Sequence, residues 1–333
     1  MNASEQAAAV RRTAGFFILK HRGLIEVSGG DATRWLNGML SNDILALEAA
    51  GVGAGCYALL LNHRAGIIAD LYVLRREESY WLELELEFLP GVVEHLHKYI
   101  VADDVTLVDR SSEWTRFGLE GPAAPEILAT VAGCSVATLP AARAAMDMTV
   151  SGVGAVAAAW GWSGEAAYQL FVPAMSGQAF TELLRSSVAS TSLVEAGEDV
   201  LEILRVEAGV PRLGRELDEK VLPDEALLDE AISDTKGCYT GQEIVARLRS
   251  RGQVNHLLVG LRFVDADVPS LVGAELFDDS RRVGEVTSVA HSSTAGWVGL
   301  GFVRRKHAEA GTALTAEGAP VRVESLPLVT PAG

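Results

Sequence analysis

The chain has 333 residues, 49% of them hydrophobic and 22% charged, which suffices for two or three packed units and excludes disorder as the default. Its 28 basic and 44 acidic residues give a formal net charge of −16, which opposes non-specific attraction to nucleic acid or to an anionic membrane surface, so an anionic ligand needs a local basic pocket. No apolar run reaches the roughly 18 residues of a membrane span, residues 1–17 lack the apolar core of a signal peptide, and Cys56, Cys134 and Cys238 are odd in number and without metal-ligand spacing; the expectation is a cytoplasmic protein with neither a disulfide framework nor a metal site of its own.

Residues 23–30 read as a strand that ends in the turn Gly29-Gly30, and Asp31 stands where it would cap a helix over 32–40. This opening lacks GxGxxG, so no dinucleotide site is indicated. Residues 56–61 and 67–75 are apolar runs around the turn 62–66, which predicts a hairpin. Residues 80–86 alternate strictly, which predicts a strand with one wet and one buried face. A helix over 92–100 and a strand at 105–109 follow. Strands near 115–119, 155–160 and 168–172, with helices over 123–131, 177–188 and 198–208, continue a mixed order that fits α+β units with mostly antiparallel sheets. After Gly252, strand-like runs at 254–264, 271–277, 282–290, 296–303 and 321–326 predict a terminal β-barrel.

Four segments carry residues that packing alone leaves unexplained. Asp70 lies within an apolar strand, where a carboxylate needs a partner or a ligand; bonding to backbone amides at a strand bend is an equally open reading. The turn Gly161-Trp162-Ser163-Gly164-Glu165 puts a carboxylate beside the indoles of Trp160 and Trp162. That pairing suits an aminopyrimidinone edge, as in a pterin, while an exposed glutamate beside core tryptophans is the plain alternative. Arg205 and Glu207 lie two apart on a helix and point to different sides, so they cannot form a simple surface pair.

The fourth segment is Lys236-Gly237-Cys238-Tyr239-Thr240-Gly241-Gln242-Glu243, just ahead of a helix-like run. A thiol near a helix amino end and a lysine has its thiolate favoured, which suits a reactive cysteine; a small cysteine packed beside a turn is the other reading. Arg247, Arg249 and Arg251 downstream form a basic patch suited to carboxylates such as a glutamyl tail, or a solvated helix end.

Taken in this order, the segments resemble the folate-binding family that unites the glycine-cleavage T-protein, an aminomethyltransferase, with YgfZ-type proteins. The resemblance also includes Gly29-Gly30-Asp31-Ala32 and Val283-Gly284-Glu285-Val286-Thr287-Ser288. Cys238 in its segment looks like the YgfZ signature, and Ala69 stands where T-proteins usually carry a second acid beside Asp70. Ala167 and Gln169 likewise replace a usual Gly and Glu.

The resemblance implies a three-unit α+β fold, roughly ring-shaped, with tetrahydrofolate or a one-carbon derivative in a central channel. Residues 15–250 are expected to form the aminomethyltransferase-like folate-binding region, as two intertwined α+β units, and 251–333 the C-terminal β-barrel domain. It also implies that Trp162, Glu165, Arg205, Tyr239 and Arg247 hold the folate and that Asp70 lies at its reactive end. Cys238, with Lys236, would be the functional thiol. The first expectation is a folate-binding factor that supports assembly, maintenance or repair of iron–sulfur enzymes, including those that modify tRNA. Its partners would be iron–sulfur client or assembly proteins, with no direct contact to nucleic acid or membrane. The alternative is a folate-dependent aminomethyl or one-carbon transferase.

Overall fold

The structure is a computed structural model that describes residues 1–191, 193–264 and 268–332. Helix α1 (Ala3–Arg12) leads into β1 (Ala14–Ile18) and β2 (Arg22–Ser28), followed by α2 (Ala32–Met39) and α3 (Ile44–Ala50). The hairpin of β3 (Gly55–Leu61) and β4 (Ile67–Arg75) comes next, then β5 (Ser79–Glu85), α4 (Leu89–His97) and β6 (Thr106–Asp109). The second stretch holds β7 (Trp114–Glu120), α5 (Ala124–Ala132), β8 (Ala145–Val150), β9 (Val153–Ala158), β10 (Ala167–Pro173), α6 (Gly177–Thr191), β11 (Leu193–Glu195) and α7 (Glu198–Ala208). Helix α8 (Gln242–Arg251) precedes β12 (His256–Phe263), β13 (Glu275–Asp278), β14 (Arg281–Ser292), β15 (Gly296–Arg304), β16 (Ala313–Ala316) and β17 (Ala319–Glu324).

One sheet runs β3-β4-β5-β2-β6 and a second β11-β1-β7-β10-β9-β8, while the last six strands close a barrel. Strand β1 precedes the whole first sheet yet pairs within the second, against β7 and β11, so the two α+β units are interlaced. Their inner faces meet through aromatic contacts, Tyr72 on Trp160 and Trp81 on Phe171. The outer face of the second sheet is covered by Ile127 and Leu128 of α5 and by Phe180 and Leu184 of α6. The barrel fills its own interior with Leu261, Leu276, Val303 and Val323.

The β3–β4 hairpin forms as its sequence predicts. Asn62 Oδ1 accepts the N–H groups of Arg64 and Gly66 at 2.9 and 3.0 Å, an Asx-type turn that leaves the flanking apolar runs to pair. Two local expectations change. Asp31 precedes α2, but its side chain accepts the backbone N–H of Asp104 instead of capping the helix. Strand β5 has no wet face: all seven residues are buried, because it is an inner strand of one sheet and is covered by the other. Helix α1, strand β1 and strand β16 lie where the sequence pattern indicates no element.

Candidate active site

Strands β3 and β4 set the first wall of a central cavity. Their register puts Tyr57 opposite Tyr72 and Leu59 opposite Asp70, and the alternation of β4 sends Asp70 and Tyr72 to one face and Ala69 and Leu71 to the other. Asp70 and Tyr72 line the cavity, whereas Ala69 and Leu71 are fully buried in the apolar core. A second acid at position 69 would therefore point away from the cavity, and its replacement by alanine leaves the cavity carboxyl in place.

The opposite wall is the turn after β9. Gly161 is required there: a Cβ at this position would fall 2.3 Å from the Ala167 Cβ and 2.7 Å from the Glu120 carboxyl carbon. Buried Glu120 in turn accepts the backbone N–H groups of Trp162 at 3.1 Å and Ser163 at 2.8 Å, which fixes the turn. Trp160 consequently stacks on Tyr72, with ring centres 4.6 Å apart and planes 5° from parallel.

The cavity measures about 430 Å³, within the range of small-molecule sites. Besides the aromatic pair it is lined by Tyr57, Asp70, Trp162 and Arg143, with Leu326 and Pro327 from the chain end. The Tyr57 hydroxyl donates to Asp70 Oδ2 at 3.0 Å, whereas Asp70 Oδ1 is buried with no hydrogen-bond partner. Trp160 Nε1 is likewise buried and unpartnered. An orphaned acceptor and an orphaned donor among stacked rings are what a flat, polar-edged ligand would satisfy. Burial raises the Asp70 carboxyl above its ordinary range and Glu85 adds to this, against the opposing pull of Arg22 and the Tyr57 bond.

Beneath the site runs a buried ion network that the sequence pattern does not reveal. The Arg22 guanidinium donates to both oxygens of Glu83 at 2.6 and 2.7 Å and to Glu85 at 2.9 Å. Arg116 donates to Glu83 at 3.0 Å from above the Phe171 ring, and burial pushes its guanidinium down to about 10. Arg22 also lies 5.0 Å from the Trp162 ring centre, so the network carries one cavity wall.

Of the residues singled out in the sequence, Asp70, Trp160 and Trp162 meet in this cavity. The others turn elsewhere. The Glu165 carboxylate is buried against Arg11 at 2.9 Å and accepts the backbone N–H of Ala332 at 3.0 Å, so it ties α1 to the chain end. Arg205 is spent on Glu202, Glu216, the Ser288 hydroxyl and the Val210 carbonyl, which locks α7 to the barrel. Glu207, also buried, pairs with Arg11.

Lys236 needs the clearest correction. Its buried ammonium donates to the carbonyl oxygens of Asn37, Leu40 and Asn42, where α2 ends, and not to Cys238. Burial pushes that ammonium down to about 8. The thiol that senses it is Cys56, itself pushed up to about 12 by burial. Cys238 is exposed and lies four residues ahead of Gln242, the first residue of α8. Tyr239 is buried under Lys236, whose Nζ lies 5.2 Å from the ring centre. Arg247 is exposed on α8, and Arg249 is bound to Asp224, Asp229 and Asp234. The expected basic patch is thus already neutralised in part, and it does not line the cavity.

Residues 2–236 match the family described as the GCVT N-terminal domain, and residues 257–330 the glycine cleavage T-protein C-terminal barrel domain. The aminomethyltransferase of Streptomyces avermitilis is 31% identical over 319 residues, covering 93% of this chain and 83% of that protein. That of Halalkalibacterium halodurans is 28% identical over 310 residues, covering 92% and 83%. The solved structure of glycine cleavage system aminomethyltransferase T from Bartonella henselae superposes with a TM-score of 0.85 at 26% identity, over 99% of this chain and 90% of that one.

Proposed function

The chain belongs to the glycine cleavage T-protein family, and we propose that it is an aminomethyl or one-carbon transferase that uses tetrahydrofolate in the cavity at Asp70. The observation that carries the reading is Asp70 itself: a buried carboxyl, one oxygen fixed by Tyr57 and the other unpartnered, beside the Tyr72–Trp160 stack. When bound, a reduced folate supplies a ring nitrogen that accepts or releases the one-carbon unit.

The residues present fit such a ligand. The Tyr72–Trp160 wall and the apolar Leu326-Pro327 segment cover a flat ring and exclude water. Tyr57 orients the Asp70 carboxyl so that Oδ1 is available to a ligand N–H or amine. Raised by burial, the carboxyl can hold and return a proton nearer neutral pH than an exposed aspartate can, which suits a general acid–base role beside a nitrogen.

Titration calorimetry with tetrahydrofolate tests the site. Wild-type protein should bind, and Trp160→Ala, which removes the stacked wall, should weaken binding clearly. Binding that is absent in wild type would defeat the reading.

Support of iron–sulfur enzymes is the second reading. Its own observation is the free, exposed thiol of Cys238. The two separate cleanly: iron–sulfur support makes Cys238→Ala the damaging variant, and transfer makes it Asp70→Asn.

A further inference from the structure

Among the described residues lining the cavity, Arg143 is the one cation. Three features set it apart. It is a non-glycine residue in the left-handed region, with φ of 64°, a conformation that persists where the surroundings impose it. Here they do: its N–H donates to the Ala159 carbonyl at 2.8 Å, and its own carbonyl occupies the space a side chain at Gly55 would need. The loop before β8 is therefore pinned so that the guanidinium reaches over Tyr57, 5.8 Å from its ring centre.

The guanidinium is only half used. Nη2 pairs with Glu230 Oε2 at 2.5 Å, while Nη1 is buried without a partner. Glu230 also lines the cavity, yet its side chain is 59% exposed against 33% for Arg143. An exposed carboxylate can leave for water at small cost. The arginine is the more buried partner, and its backbone is held by the loop. A ligand carboxylate would take both nitrogens of the fork in the bidentate geometry that Glu230 alone does not fill.

We propose that Arg143 is the receptor for a carboxylate at the outer end of the cavity ligand, and that Glu230 occupies this receptor until the ligand displaces it. The inference rests on the folate reading and deepens it: the glutamyl end of the ligand, not its ring, is what Arg143 selects. It also moves the carboxylate-binding role expected of Arg247, Arg249 and Arg251 to Arg143, in the loop before β8.

The test compares two probes by titration calorimetry: tetrahydrofolate, and 6-methyltetrahydropterin, which keeps the reduced ring and lacks the glutamyl tail. Arg143→Gln should weaken tetrahydrofolate on the order of tenfold or more, as loss of a charge-assisted pair implies, and leave the tailless pterin unchanged. Glu230→Gln, which keeps the arginine and its loop, should tighten tetrahydrofolate by removing the competitor. Equal loss for both probes, or an unchanged tetrahydrofolate affinity in both variants, overturns the receptor role alone. Failure of wild-type protein to bind either probe overturns the folate reading, and the receptor role with it.

Discussion

Asp70 and Lys236 are both polar groups taken out of water, and their partners decide what each one does. Lys236 is fully matched: three carbonyl oxygens at the end of α2 and the following turn receive its ammonium. Its work is structural, satisfying acceptors that a helix leaves open at its carboxyl end. Lys236→Met should therefore cost about 1–3 kcal/mol in urea unfolding, the penalty for buried groups left unmade, with the rate of Cys238 alkylation unchanged. A faster or slower thiol with unaltered stability would restore the Lys236–Cys238 pairing that proximity in sequence suggests. Asp70 is the opposite case, half matched and facing a cavity. Its importance was legible because a carboxylate inside an apolar strand is costly. The roles of Glu165, Arg205 and Lys236 were not, because nothing in the chain around them reveals Arg11, Ser288 or the end of α2 as partners.

Strand β5 shows why alternation misleads at the scale of an element. Glu83 and Glu85 alternate with Leu82, Leu84 and Leu86, the pattern of a strand with one face in water. The face they form is instead turned to the second sheet, where Arg22, Arg116 and Arg212 neutralise it. The same polar periodicity serves either environment; only the cations, 61 and 33 residues away for Arg22 and Arg116, distinguish them. Glu83→Gln removes the carboxylate bonded to Arg116 and should destabilise the fold by about 3–5 kcal/mol, the range for a buried pair broken on one side. Thermal unfolding reads this directly, and a change within error would mean that water reaches the network. The β3–β4 hairpin and the barrel strands were easier to read, since their turns and apolar runs are local.

The whole molecule is held by contacts between distant parts of the chain. Arg11 of α1 joins Glu165 and Glu207, the backbone of Ala332 returns to Glu165, and Leu326 and Pro327 complete a wall of the cavity. Sequence periodicity carries none of this closure, which is why residues 1–17 and the chain end looked featureless while the α+β and barrel classes were visible. The cavity that results puts Asp70 at the centre of the proposed transfer and leaves Cys238 outside it. The most direct measurement is tetrahydrofolate-dependent ammonia release from a lipoyl-bound aminomethyl donor, made on wild type, Asp70→Asn and Cys238→Ala. The account predicts turnover in wild type, a loss of about 10²- to 10⁴-fold in Asp70→Asn, as removal of a general acid–base group gives, and no change in Cys238→Ala. Equal turnover in wild type and Asp70→Asn, or loss confined to Cys238→Ala, would contradict it.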